Sequence, residues 1–519
     1  HRPHCTGRQT AIVMFRVLLL ATLAHLCMCQ DYDDVPDFGW DDLTALDEYV
    51  HRDDGYWSYT LLEKIERPQV DIYVLNMTSQ KWMDESYASR SVWWHWVGIS
   101  VPHELRSTEH AIMAIVGGNN RNPDDPPGEG DPDNILTSVV ANDTGVVTAY
   151  IKMNPNQPIV FTNDPEQKSR SEDDVIAWTW RTYLDEPEIP QEVILRCPMT
   201  KGAKRGMDTI ADFLSTIDPE LNINKFFIGG GSKRGWTTWS LAAVDDRVAG
   251  IAPLVFSLLN IDEGIMAHYQ ALAGWSFAFG PYWRANLTLE LHNPRTQDIW
   301  DIEDVFRYRS RYDGMEKYLI SATGDEFFLN HDTHYWWTGM PGPMRHYMVA
   351  NAEHTLAPHY LKIYDCICSF VISIIEGLSI PSTSWDMYED EDMGYTRYYT
   401  DTEPSLDEEG NYQATAWRAV TLDNDTRRDF RLVAGYPDAV PHPVRWYEEA
   451  VVVEEADDDE YQFYHETDTV EDEWVGQVVE VIYDGPEDHR WYFTSQANII
   501  PDTFPVGPCQ GAECYGELV

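Results

Sequence analysis

The run Phe226-Phe227-Ile228-Gly229-Gly230-Gly231-Ser232-Lys233-Arg234-Gly235-Trp236 holds the residues best suited to covalent chemistry. An apolar stretch ends in glycines, a serine follows, and a helix-competent segment begins near Thr237. This is the plan of a nucleophile elbow, in which a buried strand turns sharply into a helix and presents a serine at the turn. Glycines belong there because the turn is strained and neighbouring backbone passes close to it. The spacing is Gly230-x-Ser232-x-Arg234-Gly235, so the second glycine comes one residue later than in G-x-S-x-G. A glycine-rich turn with a serine also serves as a plain strand-to-helix connection, so the motif acquires meaning only with partners elsewhere in the chain.

Two such partners follow. Asp325 stands in Thr323-Gly324-Asp325-Glu326-Phe327-Phe328, just after the apolar run 317–322. His354 closes Asn351-Ala352-Glu353-His354, just after the run 344–349. The order Ser232, Asp325, His354 is that of an α/β hydrolase, with each residue on a loop at the carboxyl end of a strand. A serine hydroxyl is unreactive at its free pKa, so His354 would take its proton, while Asp325 would fix the imidazole tautomer and stabilise the imidazolium. The oxyanion would be held by the backbone N–H of Lys233 and by Gly118 or Asn119, in the paired-glycine turn after the apolar run 111–116. Asp332 competes with Asp325, and His331, His334 and His346 compete with His354. The His331-x-x-His334 pair suggests zinc, but no H-E-x-x-H accompanies it, and the reading carries no metal and no cofactor.

The elements needed to position these residues are readable. Val/Ile/Tyr/Trp-rich runs at 70–75 and 92–101 predict strands, as do the apolar runs at 111–116, 225–228, 248–255, 317–322 and 344–349. Helices are expected over 171–184, with Ser171 as its cap, over 201–217, after the elbow, and over 359–378. The alternation argues an α/β fold of the α/β-hydrolase kind: a mostly parallel sheet with helices on both faces. The aromatic, helical stretch 257–312 reads as a lid, 120–134 as a Pro/Gly/Asp surface loop, and 30–60 as an N-terminal extension. The hydrolase-like domain spans 61–385. Residues 386–519 form a β-rich, acidic C-terminal domain, read as a sandwich. Within it, 454–473 holds eleven Asp/Glu and no Lys or Arg, and is expected to be a solvated or disordered loop, with calcium a weaker alternative.

A net charge of −50 over 519 residues argues against nucleic acid or an anionic membrane surface as partner. Residues 1–13 precede Met14-Phe15-Arg16, and the apolar run 17–26 leads to Cys27-Met28-Cys29, so 1–29 reads as upstream residues and a secretory signal cut after Cys29. No later apolar run is long enough to span a membrane. Sequons at Asn76, Asn142, Asn286 and Asn424 fit a secreted glycoprotein. Of the cysteines beyond the signal, Cys509 and Cys514 are spaced to close a small loop, leaving Cys197, Cys366 and Cys368.

The chain resembles the PhoPQ-activated pathogenicity-related protein family, which includes secreted autocrine proliferation repressors. The resemblance is carried by Thr78-Ser79-Gln80-x-Trp82, Ser171-Glu172-Asp173-Asp174, Pro198-Met199-Thr200-Lys201 and Gly231-Ser232-Lys233-Arg234-Gly235-Trp236. It continues through Gly324-Asp325-Glu326-Phe327-Phe328 and Asn351-Ala352-Glu353-His354, covering roughly 45–435. It implies an α/β-hydrolase scaffold and carries a triad onto Ser232, Asp325 and His354. The expected function is a secreted serine hydrolase acting on an ester or peptide-like substrate. The alternative is a growth-regulating binding protein with an idle triad and a cell-surface receptor as partner.

Overall fold

The computed structural model describes residues 32–390, 393–422, 426–455 and 460–519. The expected signal segment and Asn424 lie outside the described residues.

Nine strands form the central sheet: β1 (Ser58–Glu66), β2 (Val70–Lys81), β3 (Val92–Pro102), β4 (His110–Ile115), β5 (Val147–Ile151), β6 (Lys225–Gly231), β7 (Val248–Leu254), β8 (Glu316–Ala322) and β9 (Met344–Val349). Their order is β1-β2-β3-β5-β4-β6-β7-β8-β9. β1, β2 and β3 run antiparallel to their neighbours, and the pairs from β5 through β9 are parallel. The single exchange of neighbours, β5 before β4, and the parallel run that follows give the α/β-hydrolase architecture. It puts the carboxyl ends of β6, β8 and β9 along one edge.

Strand alternation divides the core. Ala111, Met113, Ile115, Phe226 and Ile228 join one apolar cluster with the helices Arg196–Ile217 and Lys233–Val244. Ile112 and Phe227, between them in sequence, join another with Val140, Phe370 and Val371, from the helices Pro132–Thr144 and Tyr360–Glu376. A strand buried on both faces must be apolar at every position, which is how these runs read.

The stretch 257–312 folds as Ile261–Leu272, Gly280–Arg284, Pro294–Glu303 and the 3-10 segment Val305–Tyr312, laid over the carboxyl edge of the sheet. Distant pieces of chain fasten it. Phe38 and Tyr308 meet edge to face at 5.4 Å, and Arg311 pairs with Asp47 at 2.8 Å. At the other end Trp275 exchanges backbone hydrogen bonds with Glu517 and Val519 at 2.8 Å each. The tail that reaches it carries the Cys509–Cys514 disulfide.

Among the described residues the C-terminal part holds a four-stranded, a five-stranded and a two-stranded sheet. Tyr398 and Tyr483, one from each of the two larger sheets, approach hydroxyl to hydroxyl at 3.3 Å. The first C-terminal strand is Thr383–Asp390, so the border expected after 385 falls inside it. Among the described residues no helix is long and apolar enough to cross a membrane.

Three expectations need correction. Residues 120–134 are not all loop: the helix Pro132–Thr144 starts inside them, with Asp131 accepting from the Asp133 amide as cap and Pro132 at the first helical position. Ser171 does not cap the next helix; Glu172 precedes Asp173–Asp185, at φ 56°, with no side-chain cap bond. The acidic stretch 454–473 contains the strand Tyr461–Asp468, which pairs with Met393–Thr400. Phe463, His465 and Thr467 point inward while Glu466 and Asp468 face solvent, so the acids cover one face of a strand.

Candidate active site

β6 delivers Ser232 at φ 58°, ψ −128°, a region that non-glycine residues avoid. Crowding enforces the turn. A methyl on Gly230 would lie 2.8 Å from the Arg234 carbonyl oxygen, and one on Gly235 would lie 2.8 Å from that of Leu254. Lys233 is the first residue of the helix that follows, so its backbone N–H has no partner within the helix and points out of its positive end.

Asp325, after β8, and His354, after β9, are brought into contact. His354 Nδ1 lies 2.9 Å from both carboxylate oxygens of Asp325. Asp325 Oδ1 also accepts from the amides of Phe327 and Phe328, at 2.7 and 3.0 Å. The rings of those two phenylalanines stand 4.5 and 5.7 Å from the imidazole. Burial opposes protonation of His354, but the charge and hydrogen bond of Asp325 outweigh it and raise its pKa above the ordinary histidine value. Glu326 accepts from the His354 amide at 3.2 Å; burial, reinforced by the Asp325 charge, pushes its carboxyl up to about 7. Ser232 and His354 line the same cavity. Among the described residues no hydrogen bond joins Ser232 Oγ to the imidazole; free enzymes often show such contacts open.

The competing residues lie elsewhere. His346 Nε2 meets Ser321 Oγ at 2.9 Å, and His334 Nε2 meets the Ala497 carbonyl at 2.8 Å. His331 and Asp332 are fully buried, with no hydrogen-bond partner for their side chains among the described residues.

Of the backbone donors read from sequence, Lys233 adjoins the serine, while Gly118 and Asn119 are exposed; Gly117, one residue earlier, lines the cavity with Ser232. Gly118 has φ 124°, which favours glycine. Its carbonyl accepts from Gln157 Nε2 at 2.8 Å, and that same nitrogen donates to Glu172 Oε1 at 2.5 Å.

Glu172, which the sequence offers only as part of a helix start, accounts for the charged pair after the serine. Its carboxylate takes both terminal nitrogens of Arg234 at 2.7 Å and Lys233 Nζ at 2.9 Å. Lys233 also meets Asp173 at 3.0 Å, and Arg234 Nε donates to the Asn154 carbonyl at 2.7 Å. Burial opposes ionisation of Glu172, but the Arg234 pairing prevails and holds its carboxyl at about 2. The ion pairs therefore bind the elbow to the Gly117-Gly118 loop through Gln157. The available signal was Glu172-Asp173 at a helix start, which reads as dipole compensation alone.

Residues of the 257–312 segment cover this edge. Trp180, Trp236, Phe279, Tyr282 and Trp300 line a small chamber, about 70 Å³, that reaches Ser232 and Lys233. Beneath it Arg196 and Glu303, both fully buried, pair at 2.8 Å, and the guanidinium stacks 4.2 Å from the Trp236 ring.

Of the sequons, Asn142 and Asn286 are exposed, and Asn76 is half-buried within β2.

The family model for PhoPQ-activated pathogenicity-related protein matches residues 46–431. Autocrine proliferation repressor protein A of Dictyostelium discoideum is 33% identical over 490 residues, covering 91% of this chain and 94% of that protein. Two solved structures show partial likeness. An acetyl xylan esterase from Paenibacillus sp. R4 is 12% identical, with TM-score 0.42, over 64% of this chain and 92% of its own. Acetyl xylan esterase 1 from Thermoanaerobacterium sp. JW/SL YS485 is 13% identical, with TM-score 0.40, over 61% and 89%. On the strength of the family match and the Dictyostelium relative, the chain belongs to the PhoPQ-activated pathogenicity-related protein family.

Proposed function

We propose that this protein is a secreted serine hydrolase that cleaves esters by acyl transfer through Ser232. The observation that carries the reading is the Asp325–His354 pair, at 2.9 Å, opening on the cavity that Ser232 also lines. The strained serine conformation and the Lys233 amide at the first position of the helix support it.

The chemistry follows from these groups. Ser232 Oγ attacks the ester carbonyl carbon as its proton passes to His354 Nε2, and Asp325 stabilises the resulting imidazolium. The Lys233 N–H, aided by the Gly117–Asn119 loop, stabilises the negative oxygen of the tetrahedral intermediate. Collapse breaks the acyl–oxygen bond, and the alcohol leaves with the proton from His354. Water, deprotonated by His354, then attacks the acyl-serine and releases the acid, restoring Ser232. Secretion rests on the segment 14–29, and glycosylation on the exposed Asn142 and Asn286.

The test is hydrolysis of p-nitrophenyl acetate by wild type and by Ser232→Ala with matching melting temperature. Loss of at least about 10³-fold in kcat is expected, since triad members act as a unit; equal rates would refute it. The name of the Dictyostelium relative favours a second reading, a growth-regulating ligand on a hydrolase scaffold, in which Ser232→Ala leaves receptor binding and growth inhibition intact.

A further inference from the structure

Ser232 and His354 also stand at the head of a second, larger cavity of about 750 Å³, within the range of small-molecule sites. It runs along the sheet between the helices Pro132–Thr144 and Tyr360–Glu376. Tyr360, Ile363, Ile367 and Phe370 form one wall at the spacing of a single helix face, and Leu136 and Val140 form the other. Among the described residues charge enters the lining only at the head, from Arg234 and His354, and Arg234 is already held by Glu172.

The floor is hollow because of the sequence. Ala114, Gly229 and Ala252 stand side by side in register on β4, β6 and β7. Buried parallel strands ordinarily carry Val, Ile or Leu at such positions. A Cβ on Gly231 would meet nothing within 4 Å, and one on Gly229 would meet only the Ala252 carbonyl oxygen, at 3.3 Å. The elbow therefore does not need these two glycines, unlike Gly230 and Gly235; what they supply is space. At the rim, Leu136 is 55% exposed and Tyr360 58%. An apolar channel that opens to solvent at its side and ends at a serine is a substrate feature rather than a packing one.

We propose that this groove holds the acyl chain of a medium- or long-chain ester, with its carbonyl at Ser232 and its small alcohol in the lid chamber. The proposal rests on the serine-hydrolase reading above and names its substrate class. The lid chamber is too small for the chain, and the groove offers no counter-charge for a polar one. Cleavage yields a fatty acid and the alcohol, the bond broken being the acyl–oxygen bond. Each methylene fully buried raises kcat/KM by at most about fourfold, equivalent to about 0.8 kcal/mol.

The test compares p-nitrophenyl octanoate with acetate, in wild type and in Ala114→Leu, which refills the floor about 7 Å below Gly231 at the strand rise. Wild type is expected to prefer octanoate by at least about tenfold in kcat/KM, and Ala114→Leu to bring the ratio toward one. Leu136→Glu, a change at an exposed position, should weaken octanoate alone if Ala114→Leu fails to fold. Binding separates this idea from catalysis: Ser232→Ala should bind dansyl-undecanoic acid saturably, and the Ala114→Leu double variant should not. Saturable binding without any hydrolysis would sustain the groove and refute the hydrolase. Acetate hydrolysis with no chain-length preference, or absence of saturable binding in Ser232→Ala, would overturn the groove.

Discussion

Replacing Gly230 with alanine should damage the protein in a way that the same change at Gly231 does not. The new methyl at 230 would lie 2.8 Å from the Arg234 carbonyl oxygen and 2.9 Å from both the carbonyl carbon and Cβ of Arg234. Favourable carbon contacts begin near 3.5 Å, so something must move by more than half an ångström. Arg234 is poorly placed to yield, because its guanidinium is held at both ends by Glu172 and by the Asn154 carbonyl. The strain therefore falls on the Ser232 turn between them. Overpacking of this kind costs about 1–3 kcal/mol, and at about 2–4 °C per kcal/mol the melting temperature should drop by roughly 2–12 °C. A displacement approaching 1 Å at the nucleophile should slow acylation by on the order of 10². At Gly231 an added methyl meets nothing within 4 Å, and the change in stability should stay within about 0.5 kcal/mol. Thermal unfolding of the two variants, with acylation rates for Gly230→Ala, measures both parts. A Gly230→Ala protein that melts within a degree of wild type and acylates at the wild-type rate would refute this account of the elbow.

Asp325→Asn should fold normally yet lose about 10⁴ in kcat, as expected when the imidazole loses its orienting carboxylate; steady-state kinetics with a melting curve check this. The general base must be neutral, so kcat/KM should rise with pH through the pKa of His354, which lies above the ordinary histidine value. Asp325 and Glu326 both favour the imidazolium, so Asp325→Asn and Glu326→Gln should each move that limb to lower pH, and an unmoved limb in pH–rate profiles would contradict the electrostatics. Arg196→Met should cost about 3–5 kcal/mol in denaturant unfolding, because Glu303 would be left buried and unpaired under the lid. A loss below about 1 kcal/mol would mean that the pair does not anchor the lid.

Much of the scaffold was legible because strands buried on both faces must be apolar throughout. The runs 111–116, 225–228, 317–322 and 344–349 announce themselves, and the loops after them carry Gly118, Ser232, Asp325 and His354. Local reading fails where the deciding partner is distant. Lys233 and Arg234 have no explanation within their own segment; Glu172, some sixty residues earlier, supplies it. Counting charges hid the period-two alternation of Tyr461–Asp468, and an over-long loop hid the Asp131-Pro132 helix start. The fastening of the lid by Glu517 and Val519 has no sequence signal, since it depends on backbone hydrogen bonds that any residues could make. The groove was half legible: the excess of glycines was plain, but their purpose appears only when Ala114 and Ala252 are found beside them.

The central claim is that Ser232 is a working nucleophile. A fluorophosphonate probe tests it most directly, since it phosphonylates serines activated by a general base, Oγ bonding to phosphorus as fluoride leaves. Labelling should be stoichiometric, map to the peptide containing Ser232, fall with acid as His354 protonates, and vanish in Ser232→Ala. Protein that is folded by its melting curve yet takes up no probe at Ser232 would contradict the account.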